Sequence, residues 1–236
     1  FQQKTKILQY ETVQEFLRDF TFQKKDYILA SRSIYEAFFR DSTGRASIAF
    51  HSDYGQGEPD DRMLDAMLKD MREKQPERII AIGGSVIDCA KLFVLEGTAS
   101  AEDMFLHRCT PEKSRELIAI PTTCGSGSEV SRISICELTS LHTKLGLAVD
   151  ALYPDQAVLI PELLSKLPFF YFVTSGIDAL IHASESFVSP KSNAYTRMFS
   201  AEAIRLLLHG FQVIAKEGED ARMRLLGDFM QASNFA

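Results

Sequence analysis

Asp178 and His182 stand four residues apart in Ser175-Gly-Ile-Asp-Ala-Leu-Ile-His-Ala-Ser-Glu185. On a helix, side chains at that spacing share one face. A carboxylate and an imidazole so placed could ligate one divalent metal ion, or form a hydrogen-bonded pair. The stretch from Leu167 to Ala183 is largely apolar. A carboxylate buried there would need a cation or donors to offset its desolvation.

Two further segments carry chemistry of another kind. Gly83-Gly-Ser-Val-Ile-Asp88 follows the apolar run Arg78–Ile82 and opens a helical pattern. Glycines there let backbone approach a phosphate, and a helix N-terminus offers free N–H groups and a favourable dipole. The same turn also serves purely steric ends, and it is not the G-x-G-x-x-G fingerprint. Asp88 could cap the helix or bind ribose hydroxyls. Ile120-Pro-Thr-Thr-Cys-Gly-Ser-Gly-Ser-Glu-Val130 supplies hydroxyls and permissive backbone suited to phosphate, ribose or amide groups. Cys124 lies inside it without a neighbouring His, which only weakly suggests a nucleophile. The four cysteines form no C-x-x-C pair, so reduced thiols in the cytoplasm are expected. His107 and Cys109 could ligate a metal, but such a pair is more often incidental.

The elements that must position these segments are legible from periodicity. Strands are expected at Tyr27–Ala30, Ala46–Phe50, Arg78–Ile82 and Leu117–Ile120, alternating with helical patterns such as Met63, Leu64, Met67, Leu68 and Met71. Pro76 should end that last helix, and another should run from about Ser85 to Glu96. Such alternation predicts a parallel sheet covered on both faces, with ligands at the carboxyl ends of its strands. Both polar loops fall at such ends. Beyond Pro161 long helical patterns take over, at about Tyr171–Ser189, Ser192–Lys216 and Asp220–Ala236. The boundary is placed near Ile160, dividing an α/β part (1–160) from a helical part (161–236). The last helix has no stop signal, and Phe229 and Phe235 have no evident partners, so the sequence reads as cut off.

Composition narrows the field. The net charge of −6 and pI near 5.4 argue against binding nucleic acid, which needs a basic face. There is no uninterrupted apolar run of about 18 residues, so no membrane span is expected. Phe1 to Gln9 does not read as a signal peptide.

Three ordered motifs resemble those of the iron-containing (group III) alcohol dehydrogenases, which read G-G-G-S-x-x-D-x-A-K, I-P-T-T-x-G-T-G-S-E and D-A-L-x-H-A-x-E. The matching stretches are Gly83 to Lys91, Ile120 to Glu129 and Asp178 to Glu185. Tyr54-Gly-Gln-Gly-Glu-Pro59, Phe172-Val-Thr-Ser175, Val188-Ser-Pro190 and Met198-Phe-Ser200 resemble more narrowly the subgroup that acts on 4-hydroxybutyrate. Two departures stand out: two glycines rather than three precede Ser85, and Ser126 replaces a Thr while keeping the hydroxyl.

The resemblance implies a Rossmann-like parallel-sheet domain followed by an all-α domain, in a dehydroquinate synthase-like architecture whose helical part is incomplete here. It implies NAD(H) or NADP(H), and Fe²⁺ or Zn²⁺ held by one Asp and three His. Asp178 and His182 correspond to two of those ligands, and the other two are expected beyond Ala236. Gly83, Gly84, Ser85 and Asp88 correspond to the cofactor loop. Thr122, Thr123, Ser126 and Ser131 fall where phosphate and nicotinamide are contacted, and Lys144 is a candidate ribose contact. Arg32, just past the first sheet strand, could accept a 2′-phosphate, or be an ordinary surface arginine. The implied reaction interconverts 4-hydroxybutyrate and succinic semialdehyde, with the metal lowering the hydroxyl pKa and hydride passing to nicotinamide. Another primary alcohol or diol is the alternative substrate. Taken alone, the chain is expected to bind nucleotide without turnover. A homodimer is what the resemblance suggests.

Overall fold

The computed structural model describes residues 2–55 and 57–236. Gln56, inside one of the segments singled out above, lies outside them. The first half runs β1 (Lys6–Gln9), α1 (Val13–Asp19), β2 (Asp26–Ala30), α2 (Arg32–Phe38), β3 (Ser47–Phe50), α3 (Asp61–Lys74), β4 (Arg78–Ile82), α4 (Val86–Phe93), α5 (Ala101–Phe105) and β5 (Glu116–Ile120). There follow β6 (Ile133–Leu138), β7 (Thr143–Ala148), β8 (Gln156–Leu159), α6 (Phe169–Val188), α7 (Ala194–Glu217) and α8 (Leu226–Phe235).

Six strands form one parallel sheet in the order β1-β8-β5-β4-β2-β3. Its central strands are continuous apolar runs because both faces are covered. Tyr27, Leu29, Ile79, Ala81, Leu117 and Ala119 pack on one side with residues of α3, α4 and α5. Ile28, Ala30, Ile80, Ile82, Ile118 and Ile120 pack on the other with α1 and α2. The four strands expected from sequence are present. β4 and β5 are neighbours in register, Ile82 opposite Ile120, so the two polar loops leave the sheet side by side.

α3 presents Met63, Leu64, Met67, Leu68 and Met71 inward. Its first turn is capped by the Asp60 carboxylate, which accepts from the Met63 N–H at 2.8 Å. It stops at Lys74, ahead of Pro76, because Gln75 turns left-handed at φ 47°. α4 is likewise shorter than expected, ending at Phe93. The antiparallel pair β6–β7 was not anticipated, although β6 alternates strictly between exposed and buried residues. β1 and β8, four residues each, have no counterpart among the strands expected from sequence, and β1 is mostly exposed.

The helical part differs from expectation at one point. Asp220–Ala236 is not one helix. Glu219–Arg224 is a tight 3-10 turn, and α8 begins only after Leu225 leaves helical geometry. Arg222 holds the turn in place: its guanidinium donates to the Leu167 carbonyl at 2.7 Å and lies over the rings of Phe169 and Phe172. By length and composition alone α7 is apolar enough to cross a membrane, although polar and charged residues interrupt its apolar run. In this fold Ala203, Leu206, Leu207 and Ile214 belong instead to the core shared with α6 and α8.

Phe229 is the wedge of that core. It is fully buried, its ring against Phe172 and Phe211. A side chain on Gly210 would come within 2.4 Å of it, and one on Gly176 within 2.9 Å. Phe235 packs on Phe199. Both phenylalanines thus find within the chain the partners that the sequence did not reveal. Phe229→Ala should cost about 3–5 kcal/mol of unfolding free energy, measured by denaturant titration. A loss under about 1 kcal/mol would mean that the three helices pack independently of this ring.

Candidate cofactor and metal site

The β4 loop and the β5 loop touch. A side chain on Gly84 would meet Thr123 Oγ1 at 3.0 Å, and one on Gly83 would meet Val86 and Ser31 at 2.8–2.9 Å. Both positions therefore carry bare backbone at the start of α4, with Ser85 exposed beside them. Thr122 is buried and Thr123 half-buried.

Asp88 does not cap α4. Its carboxylate oxygen Oδ1 accepts from Lys91 Nζ at 3.3 Å and from the Ser128 hydroxyl. Lys91 is wholly buried, and its ammonium also donates to Ser128 Oγ at 2.6 Å, Ser131 Oγ at 3.1 Å and the Ile133 carbonyl at 2.6 Å. Burial pushes this ammonium below its usual range, while Asp88 and Glu129 pull the other way. Glu129, buried as well, accepts from the Asn234 amide at 2.8 Å, and its pKa is raised, chiefly by burial.

The β5 loop is pressed on by the helices. Gly127 sits at φ +59°, where a side chain would stand 2.9 Å from the Ser233 carbonyl of α8. A side chain on Gly125 would stand 3.2 Å from Asp178 Oδ2 of α6. Asp178 thus lies against the polar loop. It faces His182 across 3.9 Å, and both side chains are about half exposed, 52% and 44%. The expectation that apolar neighbours bury this carboxylate does not hold: α6 keeps only Phe172, Gly176, Ala179 and Ala183 fully inside.

Between the loops and the helices lies a cavity of about 560 Å³, a size common for small-molecule sites. Asp88, Ser126 and Ser131 wall it from the sheet side, and His182, Thr196 and Asn234 from the helical side. Of the residues singled out in the sequence, Asp88, Ser126, Ser131 and His182 are brought together there, with Asp178 one turn along α6. Arg32 and Lys144 do not line it. Arg32 pairs with Asp53 and lies 4.0 Å over the Phe50 ring; Lys144 pairs with Glu58 on the surface. Lys91, Ser128, Glu129 and Asn234 went unnoticed as candidates. The first three lie inside the quoted motifs, and the three-residue step from Asp88 to Lys91 was the available signal. Cys124 is no nucleophile at neutral pH, since burial pushes its thiol up to about 12.

As metal donors, Asp178 and His182 fit a divalent ion in kind, one oxygen and one nitrogen, but not in number. Among the described residues no three His, Cys, Asp or Glu side chains cluster, whereas catalytic zinc sites use about three protein ligands.

Residues 7–161 match the family described as iron-containing alcohol dehydrogenase, and residues 172–236 match its C-terminal part. The chain belongs to the iron-containing alcohol dehydrogenase family. It is 44% identical over 231 residues to the 4-hydroxybutyrate dehydrogenase of Clostridium kluyveri, covering 98% of this chain and 62% of that protein. The iron-containing alcohol dehydrogenase of Thermococcus thioreducens superposes with a TM-score of 0.80 at 26% identity, over 100% of this chain and 66% of that one. Sulfoacetaldehyde reductase from Bifidobacterium kashiwanohense, solved in complex with NAD+, shares the fold at TM-score 0.84 and 22% identity, over 100% and 66%. The chain therefore spans less than two thirds of these relatives' length. The parallel sheet followed by helices is the architecture that the resemblance implied.

Buried Glu129 yields a pH prediction. Its folded pKa is raised, so the folded state holds a proton more tightly than the unfolded chain. This group's penalty is present above the folded pKa and fades as pH falls toward the ordinary carboxylate range. Glu129→Gln should remove that acid-side gain, flattening unfolding free energy between neutral pH and about pH 4.5. An unchanged pH slope would assign the titration to other groups.

Proposed function

We propose that the protein carrying this chain is a metal-dependent, NAD(P)-linked alcohol dehydrogenase that interconverts 4-hydroxybutyrate and succinic semialdehyde. The observation carrying this reading is the cavity where Asp88, Ser126 and Ser131 on the polar loops face His182 on α6. The identity to the Clostridium kluyveri enzyme supports the substrate, and the NAD+ complex of the sulfoacetaldehyde reductase supports the cofactor.

In this reading residues 1–160 bind the nucleotide and residues 161–236 begin the metal-binding domain. Bare backbone at Gly83 and Gly84, with Ser85 and the N-terminus of α4, receives the pyrophosphate. Thr122 and Thr123 flank it. Asp88 accepts from ribose hydroxyls, Ser126 orients the nicotinamide, and Ser131 stands where the ring meets that ribose. Asp178 and His182 are two of the protein ligands of Fe²⁺ or Zn²⁺, and further donors must come from outside the described residues. A metal bound there would polarise the substrate oxygen and favour loss of its proton. With NAD(P)+ bound, the nicotinamide would supply the acceptor for the carbinol hydride, and the hydroxyl proton would leave to solvent. Lys144 serves a ribose only if it leaves Glu58. The free thiols accord with a reducing, cytoplasmic setting.

No Lys or Arg lines the cavity among its described residues. This favours weighing an uncharged primary alcohol or diol as the alternative substrate. The full-length enzyme should show higher kcat/KM for 4-hydroxybutyrate than for 1,4-butanediol; the reverse order would select the alternative. In the same enzyme Asp178→Ala should lower turnover on the order of a hundredfold or more, with NADH binding retained. Undiminished oxidation would remove Asp178 from the ligand set. The two-donor metal face also favours a second reading for the 236 residues taken alone, in which they bind cofactor without turnover.

Cofactor choice turns on Arg32. Its guanidinium could grip a 2′-phosphate, but Asp53 already occupies it and Glu36 lies 4.0 Å away. We propose that NADP(H) is tolerated and that Asp53 restrains it. Asp53→Ala should improve NADPH affinity a few-fold relative to NADH; strict NAD(H) use in both proteins would make Arg32 a bystander.

A further inference from the structure

Lys91 is a buried charge that the proposed chemistry does not use. It is 0% exposed, yet it lies directly beneath the cavity wall, because Asp88 and Ser131 line the cavity and both are its partners. A buried ammonium is costly unless fully paired. Here it reaches four acceptors drawn from α4, the β5 loop and the first residue of β6. Buried Glu129 also favours the positive charge, but the hydrogen bonds of Lys91 go to Asp88, Ser128, Ser131 and Ile133, so the arrangement it imposes there is the natural candidate for its role.

That arrangement has a definite polarity. An ammonium only donates. Ser131 Oγ accepts from Lys91, which leaves the hydroxyl proton free to point into the cavity. Ser128 accepts from Lys91 and passes its own proton to Asp88 Oδ1. With Oδ1 engaged twice, Oδ2 is left for the cavity, and the Asp88 side chain is 23% exposed there. The wall therefore presents a carboxylate acceptor beside a hydroxyl donor. A vicinal diol, each of whose hydroxyls both donates and accepts, is the ligand chemistry that this pair matches.

We infer that Lys91 is a positioning residue: through Ser128 and Ser131 it holds the cavity wall in an acceptor-plus-donor state that recognises the diol of a ribose. The inference rests on the proposed nucleotide site and adds to it the residue that orders it. Lys91 itself touches no ligand.

The test is NADH fluorescence titration of the purified protein alongside thermal unfolding. Lys91→Met should weaken NADH binding about tenfold or more, as expected for disordering hydrogen bonds to a charged group. Asp88→Asn should do the same. The double variant should bind no more weakly than the worse single one, because both act through one carboxylate. Additive losses, or a lowered Tm with unchanged NADH affinity, would reduce Lys91 to a structural residue and overturn the inference. If Lys91→Met does not fold, Ser131→Ala decides: it should weaken NADH with Tm nearly unchanged, and undiminished affinity overturns the donor role. Failure of the unsubstituted protein to bind NADH would instead overturn the nucleotide reading, and this inference with it.

Discussion

The sheet and the helices meet at a loop that has almost no side chains to spare. Gly125 and Gly127 let α6 and α8 approach the end of β5 so closely that a methyl group at either place would press on Asp178 or on the Ser233 carbonyl. That approach creates the cavity, since the hydroxyls of the loop and the imidazole of α6 would otherwise face separate solvent. At Gly127 the constraint is doubled, because the left-handed backbone and the lack of space both exclude larger residues. The buried contact from Asn234 to Glu129 then ties α8 to the same loop.

Along α6, away from this contact, the structure is permissive. Asp178 and His182 remain half exposed on α6, and Ile177, Ile181 and Val188 of that helix are exposed too. Within these residues the carboxylate is half exposed rather than buried. Helical spacing could say that Asp178 and His182 share a face, but not whether that face turns inward. Depth depends on which neighbours cover the helix, and that is not a local property of the sequence.

Much of the sheet was legible because parallel strands buried on both faces are written as uninterrupted apolar runs, as in Ile79–Ile82 and Leu117–Ile120. The edge strand β1 was not, since Lys6-Ile-Leu-Gln9 is short and mostly exposed. The break before α8 was hidden because its cause, Arg222 reaching the Leu167 carbonyl, spans fifty-five positions. In the site, glycines and hydroxyls drew notice as types that serve phosphates and sugars. Lys91 did not, because a lysine in sequence reads as a solvated surface group. Only its surroundings reveal that it is inside.

β1 lies at the edge of the sheet and pairs with β8, Lys6 opposite Gln156. As the polypeptide leaves the ribosome, β1 must wait for β8, the last strand of the sheet to be made, while β2, β3 and β4 can already associate. β1 therefore stays without β8 until about 150 further residues have been made, a stage at which unpaired strands are open to wrong pairings and to chaperones. The long separation also makes this closure a late and slow event in refolding. Lys4 and Lys6 put positive charge along this edge, a feature that disfavours wrong strand pairing, and once the sheet closes Lys4 pairs with Asp150.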